Sequence, residues 1–163
     1  MKLEHTIRTL KFKFDAGTSR GVLKDHPTCL IKISLLDNSD KYGLGEAAPL
    51  VNLSEETLDQ VINFLPELGV SLKNVQLPKS NDEAFAIAQR LVPKTLPSLV
   101  FALETALLDL MNGGMRQLFK NSFYSEKKDI PINGLIWMGS PDFMREQVDR
   151  KVANGNKCIK LKV

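Results

Sequence analysis

Two hydrophobic periods divide the chain. From Ile7 to Phe14, apolar and polar positions alternate, and residues 28–36 carry Leu30, Ile31, Ile33, Leu35 and Leu36 at near-strand spacing. A period of two marks a half-buried strand, so both segments are predicted strands. Residues 15–27 between them hold Gly17, Thr18, Ser19, Arg20, Gly21 and Pro27, which predicts a polar loop longer than a tight hairpin needs. Asp37-Asn38-Ser39-Asp40 is a turn cluster, and residues 42–47 read as a third short strand, completing an antiparallel meander.

After Pro49 the period lengthens to about 3.6. Ser54 suits an N-cap, Glu55 and Glu56 suit a first turn, and Leu58, Val61, Ile62 and Leu65 form a stripe that Pro66 is expected to end. Asn81 or Asp82 is placed to cap a helix over 83–91, with Ala84, Ile87, Ala88 and Leu91 on one face. The strongest helical pattern is 98–111, where Leu99, Leu103, Ala106, Leu107, Leu110 and Met111 align before Gly113-Gly114. Beyond Lys128, residues 130–138 read as a buried strand. Ser140 reads as an N-cap with Pro141 at the first helical position, 142–152 as a helix, and 158–163 as a second strand. Strand, helix and strand in this space make a βαβ unit, with parallel strands and a right-handed crossover. The expected architecture is an α+β domain over 1–125, followed over 126–163 by the start of an α/β domain. Two strands and one helix cannot bury both faces of a sheet.

The chain has 163 residues, 43% hydrophobic and 25% charged, which excludes disorder and low complexity. Its net charge of +3 is dispersed, so neither nucleic acid nor a membrane surface is an expected partner. Cys29 and Cys158 sit in apolar runs and read as buried thiols in a reducing cytoplasm. The N-terminal stretch lacks the apolar region of a secretory signal.

Chemistry concentrates at the end. Lys160 and Lys162 project from one face of the last predicted strand, with Ile159, Leu161 and Val163 on the other. Ammonium groups roughly 7 Å apart disfavour each other's charge, which tunes a lysine toward acid/base work. An exposed sheet face or edge strand carrying lysines against aggregation fits the same pattern. Arg20, mid-loop, can meet a carboxylate bidentately or simply be solvated. Trp137 reads equally as core or as pocket wall. Gly43-Leu44-Gly45-Glu46-Ala47-Ala48-Pro49 lacks the spacing of a phosphate loop and reads as a strand end with glycines at special dihedrals. His5 and His26 have no partners at ligand spacing. Glu104 and Asp109, five residues apart, suit caps or ion pairs rather than an acid/base pair.

Taken in order, Gly43–Pro49, Leu103-Glu104-Thr105-Ala106-Leu107-Leu108-Asp109-Leu110, Ile130-Pro131-Ile132-Asn133-Gly134 and Ile159-Lys160-Leu161-Lys162-Val163 resemble the enolase superfamily, in its muconate-lactonizing subgroup. The 17–21 loop and the 133–139 strand most resemble its o-succinylbenzoate synthase family. The resemblance implies an α+β capping domain followed by the first βαβ unit of a (β/α)7β barrel. It makes Lys162 the acid/base lysine, Lys160 its companion, and the loop around Arg20 a specificity loop over a small carboxylate substrate. Leu135 and Trp137, on one strand face, become pocket walls. The implied reaction is Mg2+-dependent proton abstraction beside a carboxylate, followed by syn dehydration in menaquinone biosynthesis. Dipeptide epimerisation or N-acylamino-acid racemisation is the alternative within the superfamily, and a non-catalytic capping module is the alternative outside enzymes. The family's acidic metal ligands and second catalytic lysine belong to later barrel strands. This chain alone is therefore expected to be inactive and without metal ligands, its partner being the remaining barrel segment or a second chain. No oligomeric state is implied.

Overall fold

The computed structural model describes residues 1–18 and 21–162. Strands β1 (Lys2–Thr18), β2 (Gly21–Ser34) and β3 (Tyr42–Ala47) form an antiparallel sheet in the order β1-β2-β3, the meander that the alternation predicts. The loop expected over 15–27 is instead mostly ladder. Thr9 pairs with Pro27 and Lys11 with Asp25, and beyond a register shift Gly17 pairs with Val22 and Thr18 with Gly21. A bulge of this kind absorbs surplus residues of one strand and bends the pair. This distal part of the hairpin is largely exposed. Residues 15–27 have no alternating apolar positions to announce them as strand, whereas the predicted strand over 7–14 keeps its alternation although Ile7, Leu10, Phe12 and Phe14 are exposed rather than half-buried.

Helix α1 (Leu58–Leu72) starts with a capping box in which Thr57 and Gln60 satisfy each other's backbone amides. Ser54, expected as the cap, instead accepts the Leu50 N–H at 2.9 Å and closes the preceding loop. Pro66 does not end the helix. Proline inside a helix costs about 3 kcal/mol. The stripe of Val61 and Leu65 continues through Leu68 and Leu72, both fully buried, and each buried leucine contributes about 1.5–3 kcal/mol. Burial outweighs the lost hydrogen bond.

Helix α2 (Asn81–Leu91) is capped by Ser80, just ahead of the expected Asn81 or Asp82. Helix α3 (Pro97–Met111) lies against the inner face of β2 and β3, where Cys29, Ile31, Ile33 and Ala47 meet Leu99, Ala102, Leu103, Ala106 and Leu107. Gly43 and Gly45 permit that approach: a Cβ on either would overlap the carbonyl oxygen of Ala106 or Ala102. Neither glycine has positive φ, so close packing, not a special dihedral, explains them. Helix α4 (Ser122–Glu126) is a single exposed turn that no apolar stripe foretold.

The last elements are β4 (Gly134–Ile136), α5 (Pro141–Ala153) and β5 (Ile159–Leu161). β4 and β5 pair in parallel, with Gly134 opposite Ile159, Leu135 opposite Lys160 and Ile136 opposite Leu161. Ser140 caps α5 and Pro141 opens it, as expected. Both strands are shorter than the predicted 130–138 and 158–163. Ile130 and Ile132 are exposed rather than buried, since a strand is defined only where a neighbour pairs with it. Cys29 is buried as expected, and burial pushes its thiol up to about 11. Cys158, in contrast, is exposed, because no element covers the flank just before β5. Among the described residues, no helix is long and apolar enough to cross a membrane.

Candidate functional site

The parallel register decides which side chains share a face. Residues paired across a parallel ladder point the same way, so Lys160 stands beside Leu135, and Lys162 follows it on the side of Trp137. The Lys162 N–H donates to the Ile136 carbonyl at 3.1 Å, carrying the ladder past β5. The opposite face presents Gly134 and the fully buried Ile136 toward α5. The structure thus brings together four of the residues singled out in the sequence: Lys160, Lys162, Leu135 and Trp137. Arg20 lies outside the described residues.

The lysines differ. Lys160 is exposed, while Lys162 is half-buried with its Nζ 4.1 Å from the centroid of the Trp137 ring. An ammonium over an indole face is attracted by the ring quadrupole, so the aromatic fixes where the charge sits. Trp137 is itself held by α5. Its N–H donates to Gln147 Oε1 at 3.0 Å, and its carbonyl accepts from Gln147 Nε2 at 3.1 Å. The same Nε2 donates to the Phe143 carbonyl at 3.3 Å, so Gln147 is buried with both ends of its amide used.

The distal hairpin reaches this place. Phe14 of β1 meets the Trp137 ring edge-on, with centroids 5.8 Å apart and planes at 81°. Beyond it, a Cβ on Gly17 would lie 3.7 Å from the Met138 carbonyl oxygen, so the backbone of the arm passes over the carboxyl end of β4. In parallel α/β sheets, ligands gather at that end. The sequence reading missed Gln147 and the role of Phe14. Gln147 had a legible signal: it stands with Met144, Val148 and Lys151 on the stripe of α5 at helical spacing, where a polar residue needs a partner.

Two lysine side chains on one face, one of them against an aromatic ring, suit an anionic carboxylate. The same face is unsuited to a cation. Among the described residues, no three histidine, cysteine or acidic side chains gather where they could hold a metal ion.

The carboxylates flagged elsewhere serve the fold. Asp109, buried in α3, accepts from the Leu44 amide at 3.0 Å and the Arg116 amide at 2.7 Å, and pairs with the Arg116 guanidinium. This is the ion-pair role expected of it. Glu46 accepts from the Thr28 hydroxyl at 2.7 Å and from Arg8 at 2.8 Å, and these partners, Thr28 foremost, hold its carboxyl below the ordinary range. Glu56 is buried, which opposes its ionisation. Its contact with Ser98, whose amide donates at 2.8 Å, outweighs that and lowers its pKa. The bond caps α3, which has no side-chain cap from its own N-cap residue.

No protein-family model matches the chain. All of it aligns at 35% identity with the o-succinylbenzoate synthase of Desulfotalea psychrophila, covering 49% of that protein. The crystal structure of MenC from that organism matches with a TM-score of 0.66 at 28% identity, over 99% of this chain and 49% of the other. The o-succinylbenzoate synthase of Thermosynechococcus elongatus, solved with magnesium in its active site, matches with a TM-score of 0.70 at 22% identity, over 100% and 43%. The L-Ala-D/L-Glu epimerase of Bacillus subtilis gives a TM-score of 0.74 at 18% identity, over 100% and 45%. The chain spans about half the length of the relatives it matches.

Proposed function

We propose that the chain belongs to the enolase superfamily and supplies the capping domain and first two barrel strands of an o-succinylbenzoate synthase, a lyase of menaquinone biosynthesis. The division falls at residues 125 and 126. The observation that carries this reading is the shared face of Lys160, Lys162, Leu135 and Trp137 at the carboxyl end of β4.

In this role Lys162 takes the proton from the carbon next to the substrate carboxylate. The resulting ammonium returns that proton to the departing hydroxyl on the same side, so the C–O bond breaks and water leaves. Lys160 is its companion on the strand. Leu135 and Trp137 wall the pocket, and Arg20 pairs with the substrate carboxylate. Bound magnesium would supply positive charge to the substrate carboxylate in chemistry of this kind. The face described here offers no acidic ligands for it, so that ion and the second acid/base lysine belong to the remaining barrel segment, on this polypeptide or another. The two free thiols suit a reducing compartment such as the cytoplasm.

The epimerase reading draws on the higher TM-score of the Bacillus protein. Fold similarity is shared by the whole superfamily, and sequence identity, which separates its families, favours the synthase by 28% to 18%. The test is to assay protein carrying the whole barrel for dehydration of the cyclohexadiene carboxylate precursor and for epimerisation of Ala-Glu dipeptides. Dehydration is expected; epimerisation without it would reject the synthase.

A further inference from the structure

Trp137 meets three groups that come from separate parts of the chain. Lys162 stands on its face, Phe14 of the hairpin meets it edge-on, and Gln147 of α5 holds the backbone that carries it. The two bonds to Gln147 hold the backbone N–H and C=O of Trp137, so they fix the direction in which its side chain leaves the strand end, while Lys162 and Phe14 pack against the ring itself.

We propose that Trp137 is a positioning residue for Lys162, seated by Gln147 and touched by Phe14, so that the packing of the hairpin is felt at the lysine through one shared ring. This refines the place of Trp137 within the proposed function and rests on that reading for its relevance to catalysis. Nothing in it requires Trp137 to contact substrate. The arrangement itself is a property of the chain in hand and can be measured on it.

Three features of the geometry favour positioning over incidental contact. Gln147 is among the few buried polar residues, and it uses both amide ends on the backbone on either side of the β4–α5 turn. A buried amide so used fixes geometry that a leucine could fill but not orient. Lys162, unlike the exposed Lys160, is the lysine that reaches the ring. Phe14 and Gly17 bring the hairpin to the same strand end by two separate contacts.

Trp137 is the only tryptophan, so its fluorescence reports this site alone. On the 163-residue chain, Lys162→Met is expected to shift the emission maximum and intensity, and Phe14→Leu to shift them as well. Lys160→Met, which removes the same charge from the exposed neighbour, is expected to leave emission unchanged. In a Gln147→Leu background the effect of Lys162→Met should disappear. Should that background fail to fold by circular dichroism, Gln147→Glu serves instead: it keeps the acceptor for the Trp137 N–H, loses the donor to its carbonyl, and should diminish the Lys162→Met effect. In protein carrying the whole barrel, Gln147→Glu should lower kcat by up to about 100-fold with KM little changed, the signature of a misplaced group. Emission indifferent to Lys162→Met, equal shifts from Lys160→Met and Lys162→Met, or a Lys162→Met effect independent of Gln147 would each overturn the proposal. The emission is read without substrate, so a failed dehydration assay and a failed emission test are separable.

Discussion

The sheet β1–β3 with its helices and the β4–α5–β5 unit differ in what covers them. In the first, one sheet face is sealed by α3, and the core runs continuously from Ile31 and Ile33 through Leu99, Leu103 and Leu107 to Leu65 and Leu68. In the second, Ile136 is the one fully buried large apolar side chain among the described residues, Gln147 is buried too, and Leu161 and Val152 are exposed. A region with few buried contacts opens locally at lower free energy than one with a continuous core. The part that carries fold stability is therefore distinct from the part that carries the lysines, and the hairpin, through Phe14, is one bridge between them.

That contrast can be broken most severely in the core. Leu103→Ala is expected to cost about 2–5 kcal/mol in denaturant unfolding followed by circular dichroism. Ile136→Ala should chiefly lower hydrogen-exchange protection of β4 and β5, leaving the main transition in place. Next comes the link between α3 and β3: Asp109→Asn removes the charge that serves the Leu44 amide, the Arg116 amide and the guanidinium, with an expected loss of about 1.5–3 kcal/mol. Smaller again is Glu56→Ala, which uncaps α3 for about 1 kcal/mol. Acid acts in the same region. The carboxyls of Glu46 and Glu56 lie below their ordinary value of 4.5 in the folded chain, so their contribution is present above that pH. It is lost as pH falls below that value toward their folded pKa, and Tm should drop accordingly. At the alkaline end the raised Cys29 thiol works in reverse: the unfolded chain ionises first, and stability falls as pH rises toward about 11. Alkylation at neutral pH sharpens the contrast without changing stability, since Cys158 should react in the native chain and Cys29 only after denaturation.

Legibility follows the same division. Where a face is sealed, its period is visible in the sequence, as in Leu99, Leu103, Ala106, Leu107 and Leu110 of α3, and the helix was readable almost to its ends. Residues 15–27 carry no alternation of apolar and polar positions, which is why that arm of the ladder read as loop, while Leu10, Phe12 and Phe14 opposite it alternate although they are exposed. Pro66 misled because a local rule was overridden by Leu68 and Leu72, three-dimensional partners that a proline rule does not count. At the site, alternation alone placed Lys160 with Lys162 and Leu135 with Trp137. Joining those pairs into one face needed the register of β5 on β4, and Gln147 became evident only when its amide was seen spanning the Trp137 backbone.

The account stands on Lys162 as the group that moves the proton. The most direct measurement is the dehydration rate of protein carrying the whole barrel, with and without Lys162→Ala. Loss of at least about 100-fold in kcat, with an unchanged unfolding transition, is the predicted result. Near-normal kcat in that variant would contradict it.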